Sequence, residues 1–308
     1  MNSDNRIIDA HCHMSLEPLD INPERDNVKH LIDKVISTSV REDKDLVLNI
    51  MSTTHFDHEL LSSSSALEET GASYKLGLGI HPWYSYLYTF DRNIKKLDHY
   101  LSVIAVDNKE VAVKLNTEAN EMDKIGEYIE TIIKEKIHIL PDIYYINDIF
   151  TNEVFKQYNF IGEVGLDFIA TATKVANIIG LKDVKVNKDH QSKVFEFFLQ
   201  KYAENKSNLK FISIHSVKSA QATFEAIKSF DESIQGTSQK ANIVLHSYTG
   251  TIDQFEQQYL KKLKNIYCYI SLSTFINCRD PLTKKVKRLI SQLDVKNMLI
   301  ETDVPINT

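Results

Sequence analysis

Eight short apolar runs, rich in Val, Ile, Leu and Tyr, recur along this 308-residue chain between longer stretches with helical periodicity. They fall at Ile7–Ala10, Asp45–Ser52, Tyr74–Ile80, Asn159–Leu166, Lys210–His215, Ala241–Ser247, Ile266–Ser273 and Asn297–Asp303. Strands that alternate with helices require crossover connections and therefore build a parallel sheet. Eight such units predict a (β/α)8 TIM-type barrel, with a doubly wound open sheet as the structural alternative. The run Asn187–Glu204, with apolar Val194, Phe197, Phe198 and Tyr202, has the amphipathic pattern of an outer helix.

Two features distort a regular barrel. An overlong connection, from about Asp91 to Phe150, separates the third and fourth strands and carries a Glu/Lys-rich helical stretch around Glu118–Lys136. It is expected to be a surface insertion in a single domain spanning residues 1–308. The chain also stops at Thr308, just after the eighth strand, so the last outer helix is expected to be missing.

Charge and composition narrow the function. With 36 basic and 42 acidic residues the net charge is −6, so no global basic field exists to hold duplex DNA. A small site with bound cations can still grip a single phosphate. Three cysteines, Cys12, Cys268 and Cys278, lack paired spacing, and the polar N-terminus has no apolar targeting core. These features predict reduced thiols and a cytoplasmic or nuclear location. No apolar run approaches the 18 or so residues of a membrane span.

Chemistry gathers at the strand ends. The motifs are Asp9-Ala10-His11-Cys12-His13, Gly79-Ile80-His81-Pro82-Trp83, Gly162-Glu163-Val164-Gly165-Leu166-Asp167, His215-Ser216, His246-Ser247 and Glu301-Thr302-Asp303. The C-terminal ends of barrel strands are where such enzymes assemble their sites. By the two-residue period of a strand, Asp9, His11 and His13 share one face, as do Glu301 and Asp303. Each motif alone is weak: a single His-x-His is common on surfaces, and a lone strand-end His is usually hydrogen-bonded filler. Jointly they make a mixed nitrogen and oxygen donor set suited to Zn, Mg or Mn. His11, His13, Glu163, His215, His246 and Asp303 exceed one four-coordinate ion and suit two divalent ions about 3.5–4 Å apart with a shared carboxylate.

Other residues carry weaker signals. Trp83, the only Trp, follows His81 at the rim and either stacks on a base or packs beneath its loop. Lys284, Lys285, Lys287 and Arg288 form a basic run that steers anions or, more plainly, makes a solvated helix face. His55 and His58 could share a helix face but have no evident carboxylate partner, and His30, His99, His138 and His190 read as solvated.

The segments IIDAHCH, GIHPW, IGEVGLDF, HQSKVFEFFLQ, ISIHS, IVLHSYTG, YISLS and LIETDVP, in this order from Ile7 to Pro305, make the chain resemble the TatD-type metal-dependent hydrolases of the amidohydrolase-like barrel group. The resemblance implies a DNase or related phosphoesterase, with removal of nucleotides from a 3′ end as its usual form. It implies that His11, His13, Glu163 and Asp303 hold one metal, and that Glu163, His215 and His246 hold the second. Glu163 would then bridge the two, and His81 would sit near the substrate phosphate. On this reading Asp303 and Glu163 carry the catalysis, with Asp303 orienting the attacking water and accepting its proton. His81, Trp83 and Lys218 face substrate, and Asp9 and Glu301 stand behind the ligands.

The chain also departs from the family pattern. The family usually has an Arg after GLDF, where this chain runs Phe168-Ile169-Ala170-Thr171, and His-Ser-Arg where it has His215-Ser216-Val217. Lys218, one position along, either compensates for the lost Arg or is a solvated lysine at a helix start. Single-stranded or 3′-end DNA is the expected substrate and no membrane is involved. Two other readings stay open: an amide or ester hydrolase on the same metals, and a catalytically weak adaptor whose protein partner docks on the 91–150 insertion.

Overall fold

In the computed structural model, residues 7–13, 46–57, 73–237 and 239–303 are described. All eight apolar runs become strands: β1 (Ile7–His13), β2 (Leu46–Met51), β3 (Ser73–Leu78), β4 (Phe160–Asp167), β5 (Ile212–Val217), β6 (Ala241–Leu245), β7 (Ile266–Ser273) and β8 (Met298–Glu301). They form one eight-stranded parallel sheet in sequential spatial order. The sheet curls into a nearly closed TIM-type barrel, so the barrel holds and the open-sheet alternative falls. Closure is local and polar: Asp303 N donates to His11 O at 3.0 Å, and Thr302 donates from N and Oγ1 to the Asp9 carboxylate at 3.1 and 2.7 Å. The segment after Asp303, where no outer helix is expected, lies outside the described residues.

Parallel strands covered on both faces read as nearly continuous apolar runs, and here Ile161, Ile212, Ile214, Ile243 and Ile270 are fully buried. Helices pack around them. The insertion supplies α1 (Lys96–Val103), α2 (Asn108–Leu115) and α3 (Met122–Lys136), followed beyond β4 by α4 (Lys188–Glu204), α5 (Ala220–Ser233) and α6 (Lys284–Gln292). The α4 helix starts where the Asn187 side chain accepts from the backbone N–H groups of Asp189 and His190, which satisfies donors otherwise left free at a helix start. Its Phe195 and Phe198 are fully buried, each contributing roughly 2 kcal/mol by burial.

The insertion shares this core. Tyr100, Val103, Val111, Ile125, Ile133, Ile146 and Phe150 belong to the same apolar cluster as the barrel strands. Its ends are tied together by a short parallel ladder between Tyr88–Thr89 and Tyr144–Tyr145. The helix expected around Glu118–Lys136 begins only at Met122. The residues before it turn instead, with the Glu121 carboxylate taking hydrogen bonds from Thr117 Oγ1 and Glu118 N.

Two histidines expected in solvent are not there. His99 is buried with Nε2 against Tyr86 O at 2.8 Å, and the half-buried His190 sets Nε2 against Ser85 O at 2.9 Å. Burial pushes the His190 imidazole down to about 4, so it packs as a neutral ring. His55 is also buried, its Nδ1 2.8 Å from the Tyr88 hydroxyl. Apolar walls brought from distant segments decide these positions. His138 is exposed as expected, while His30 and His58 lie outside the described residues. Among the described residues no helix is long and apolar enough to cross a membrane.

One glycine is required by the fold at the barrel mouth. Gly165 has φ +147°, and a Cβ added there would meet the His215 carbonyl oxygen at 2.1 Å. Gly126, inside α3, has open space around it. Gly165→Ala should destabilise the protein by on the order of 3 kcal/mol. Gly126→Ala should stabilise it by about 0.5–1 kcal/mol. Thermal or urea midpoints measured side by side should shift in opposite directions.

Candidate metal centre

The ends of the parallel strands bring distant residues to one point. β1 supplies His11 and His13, β4 supplies Glu163, and β5 ends in His215 and the two residues after it. His81, His246 and Asp303 follow closely on β3, β6 and β8. Backbone bonds fix this arrangement. Glu163 N donates to Ser52 O at 2.9 Å, His81 N to Thr53 O at 2.9 Å, and His246 N to Ile214 O at 3.1 Å.

Glu163 is the hub and is almost wholly buried. Its Oε2 lies 3.3 Å from His11 Nε2 and 3.2 Å from His13 Nε2. Its Oε1 lies 2.6 Å from His215 Nδ1, 2.7 Å from His246 Nε2 and 3.5 Å from His81 Nε2. Each carboxylate oxygen therefore faces its own imidazole pair. Within the pairs, His11 Nε2 and His13 Nε2 are 3.1 Å apart, and His215 Nδ1 and His246 Nε2 are 3.2 Å apart. Asp303 Oδ1 stands 3.9 Å from nitrogens of His11, His13 and His246, nearer the solvent than Glu163.

The electrostatics follow from this crowding. Burial alone would raise the Glu163 carboxyl, but the imidazoles of His246, His81, His11 and His215 outweigh it and hold the group well below the usual carboxylate range. Burial would lower His246, yet the adjacent charges of Glu163 and Glu301 raise it well above the usual imidazole value. Burial prevails at His11 and His81, which are pushed down and stay neutral.

The donor set fits metal ions. Three groups bring their donor atoms within 4.8 Å of one another: His11, His13 and Glu163; His81, Glu163 and His215; and His11, His246 and Glu301. Among the described residues, buried His13 Nδ1, His215 Nε2, His246 Nδ1 and Glu301 Oε2 have no hydrogen-bond partner. Imidazole lone pairs aimed together at a carboxylate suit borderline to hard divalent cations.

Asp9 does not join its strand neighbours. The register of β1 against β2 slips between Asp9 and Cys12, so the simple parity that grouped it with His11 and His13 is broken. Its carboxylate serves Thr302 and the His11 N–H instead. Glu301 stands behind His246, 3.5 Å from its Nδ1, and accepts from Ser247 N and Oγ at 2.7 and 2.9 Å. Lys218 is exposed at the rim and lines a cavity of about 250 Å³ with Ser216, His246 and Tyr248. In the basic run of α6, Arg288 is paired with Asp253 and Lys285 donates to Thr249 O.

Residues to which the sequence assigned no role, Ser213, Ser247 and Asp167, complete the centre. Ser213 Oγ contacts His11 Nδ1 at 3.0 Å, leaving Nε2 for the centre. Ser247 Oγ stands between the two carboxylates, 2.9 Å from Glu301 Oε1 and 3.0 Å from Asp303 Oδ2, and shares its one proton with them. Asp167 Oδ2 accepts the Trp83 indole N–H at 2.7 Å and lies 3.7 Å from His215 Nε2. Trp83 is thus 41% exposed at the rim, but with its N–H committed to the centre. The Asp of the fourth-strand motif was legible, but its partner 84 positions away was not.

Comparison with known proteins decides the family. The model of the TatD related DNase family matches residues 141–308. The chain belongs to the TatD-related DNase family. It is 28% identical to an uncharacterized deoxyribonuclease of Saccharomyces cerevisiae over 98% of this chain and 85% of the relative. The fold is similar to the crystal structure of an uncharacterized amidohydrolase from the same yeast, with a TM-score of 0.50 and 14% identity over 97% of this chain and 75% of that one. This TatD-family chain is a metal-dependent hydrolase of nuclease type.

If Asp167 orients His215 through its far nitrogen, loss of the Trp83 clamp should loosen the metal. Outer hydrogen-bond partners of metal-bound histidines are typically worth 10–100-fold in affinity. Trp83→Phe and Asp167→Asn should each weaken binding of Zn²⁺ or Mn²⁺ by about tenfold or more, measured by calorimetric titration of the metal-stripped protein.

Proposed function

We propose that the chain is a two-metal phosphodiesterase that removes nucleotides from 3′ ends of DNA. The observation that carries this reading is the Glu163 carboxylate, whose two oxygens face two separate imidazole pairs. His11, His13 and Glu163 Oε2, with Asp303, would hold one divalent ion, and His215, His246 and Glu163 Oε1 the other. When bound, such ions lower the pKa of water toward about 7 and neutralise phosphoryl charge.

The chain's own residues then divide the remaining work. Asp303 is the carboxylate nearest the mouth; Ser247 steadies its Oδ2 and its Oδ1 faces the imidazole cluster, which places the carboxylate to orient an attacking water and accept its proton. His81 Nδ1 accepts the Trp83 backbone N–H at 3.2 Å, so the proton of the neutral ring sits on Nε2. That tautomer makes His81 a hydrogen-bond donor to a phosphoryl oxygen in preference to a metal ligand. Lys218, beside the cavity next to His246, is placed to meet the substrate backbone. DNA as substrate rests on the family and on the relative's name.

The acyl-hydrolase reading keeps the same centre, and no distance or contact favours it. The protein partner expected on the 91–150 insertion has no support either. A cytoplasmic or nuclear site of action remains part of the proposal.

Asp303→Ala should lower turnover of a 5′-labelled single-stranded oligonucleotide by about 10²–10⁴-fold, the usual worth of a positioned base, while metal is still bound. The wild-type product pattern should be a ladder shortened from the 3′ end. Unchanged turnover in Asp303→Ala, or cleavage of acyl esters and not of phosphodiesters by the wild type, would overturn the assignment.

A further inference from the structure

Three arginines lie among the described residues: Arg92, Arg279 and Arg288. Arg92 is paired with Asp148 and Arg288 with Asp253. Arg279 alone of the three makes no ion pair among the described residues. Its guanidinium lies over the Phe275 ring, 4.8 Å from the centroid, and its Nε donates to Phe275 O. Among the described residues the two Nη groups have no hydrogen-bond partner.

This pair sits on the loop that follows β7, at the same mouth as the metal centre. The loop is anchored from below. Asn277 is buried; its Oδ1 accepts from Ser273 N at 2.9 Å, and its Nδ2 donates to Tyr248 O at 3.0 Å. Ser273 Oγ accepts from Ile276 N at 2.9 Å and lies 2.9 Å from Ser247 Oγ, which in turn stands 3.0 Å from Asp303 Oδ2. Thr274 N donates to Glu301 O and Thr274 Oγ1 to Thr302 O. The loop is therefore coupled directly to the residues that carry the proposed proton acceptor. Yet its tip is not buried: Phe275 is 53% and Ile276 42% exposed. A rigid base that holds two adjacent large apolar side chains in water, beside an unpaired cation, is a surface built to be covered.

We propose that Phe275 and Arg279 form the platform that seats the 3′-terminal nucleotides of single-stranded DNA beside the metal centre. This rests on the nuclease reading above. A nucleobase would stack on the Phe275–Arg279 pair, since every base presents a π-face to an aromatic ring or guanidinium. The adjoining backbone phosphate would take the free Nη donors, for which an Arg fork is well shaped. In a chain whose net charge is −6, a local unpaired cation at the mouth is what an anionic strand needs to approach.

The test measures binding and turnover separately. Binding of 5′-fluorescein-labelled dT12 is followed by anisotropy in wild type, Phe275→Ala, Arg279→Ala and the control Arg288→Ala. Turnover of methyl p-nitrophenyl phosphate, too small to span centre and loop, is followed in the same proteins. Phe275→Ala and Arg279→Ala should each weaken oligonucleotide binding by about tenfold. Arg279→Ala should also reduce the salt slope by about one, and Arg288→Ala should change little. Turnover of the small diester should be unchanged. Equal binding by wild type and both variants, no binding by the wild type, or a parallel loss of small-diester turnover would each overturn the proposal. Wild-type protein that binds DNA through this loop but cleaves neither substrate would overturn the nuclease reading and leave the platform standing.

Discussion

A single buried carboxylate organises the mouth of this barrel. Glu163 sits where charge is most costly, and the imidazoles of His11, His13, His81, His215 and His246, all within 3.5 Å of its oxygens, hold it ionised. The arrangement is mutual. Without the carboxylate, the His11/His13 and His215/His246 contacts would set nitrogen lone pairs against one another at 3.1 and 3.2 Å. Buried groups of this kind must be fully paired or coordinate an ion, and the imidazole nitrogens that converge on the two Glu163 oxygens mark where ions would complete the set.

The surrounding structure serves that hub. Seven strand-to-strand registers bring residues between positions 11 and 303 into one cluster. The eighth contact, between β8 and β1, is made by Asp9 and Thr302 together with the Asp303 N–H on His11 O. Closure of the barrel and placement of Asp303 are thus the same event. A layer of hydroxyls and carboxylates lies behind the centre: Ser213 on His11, Ser247 on Asp303 and Glu301, Asp167 with Trp83 behind His215. These contacts orient each side chain, and site geometry held by such a layer is far tighter than loops alone provide.

Much of this was legible before the structure. The eight strands appear because parallel strands buried on both faces need continuous apolar runs, which the period-two and period-3.6 patterns separate. The donor residues were legible because barrel geometry puts strand C-termini on one face, so a motif at a strand end is already a statement about position. Parity failed at Asp9, where an irregular register turned its side chain to Thr302. Solvation failed at His99 and His190, which look polar in sequence but lie against walls supplied by other segments.

The sequence by itself determined the strand and helix alternation, the family and the identity of every candidate ligand, because these depend on local periodicity and on motifs that act through neighbouring residues. Only the tertiary structure decided which oxygen of Glu163 meets which imidazole, that Trp83 gives its N–H to Asp167, and that Arg279 alone of the described arginines has no carboxylate. Each of those facts is a distance between residues far apart in the chain, and sequence spacing carries no information about such distances until the barrel closes.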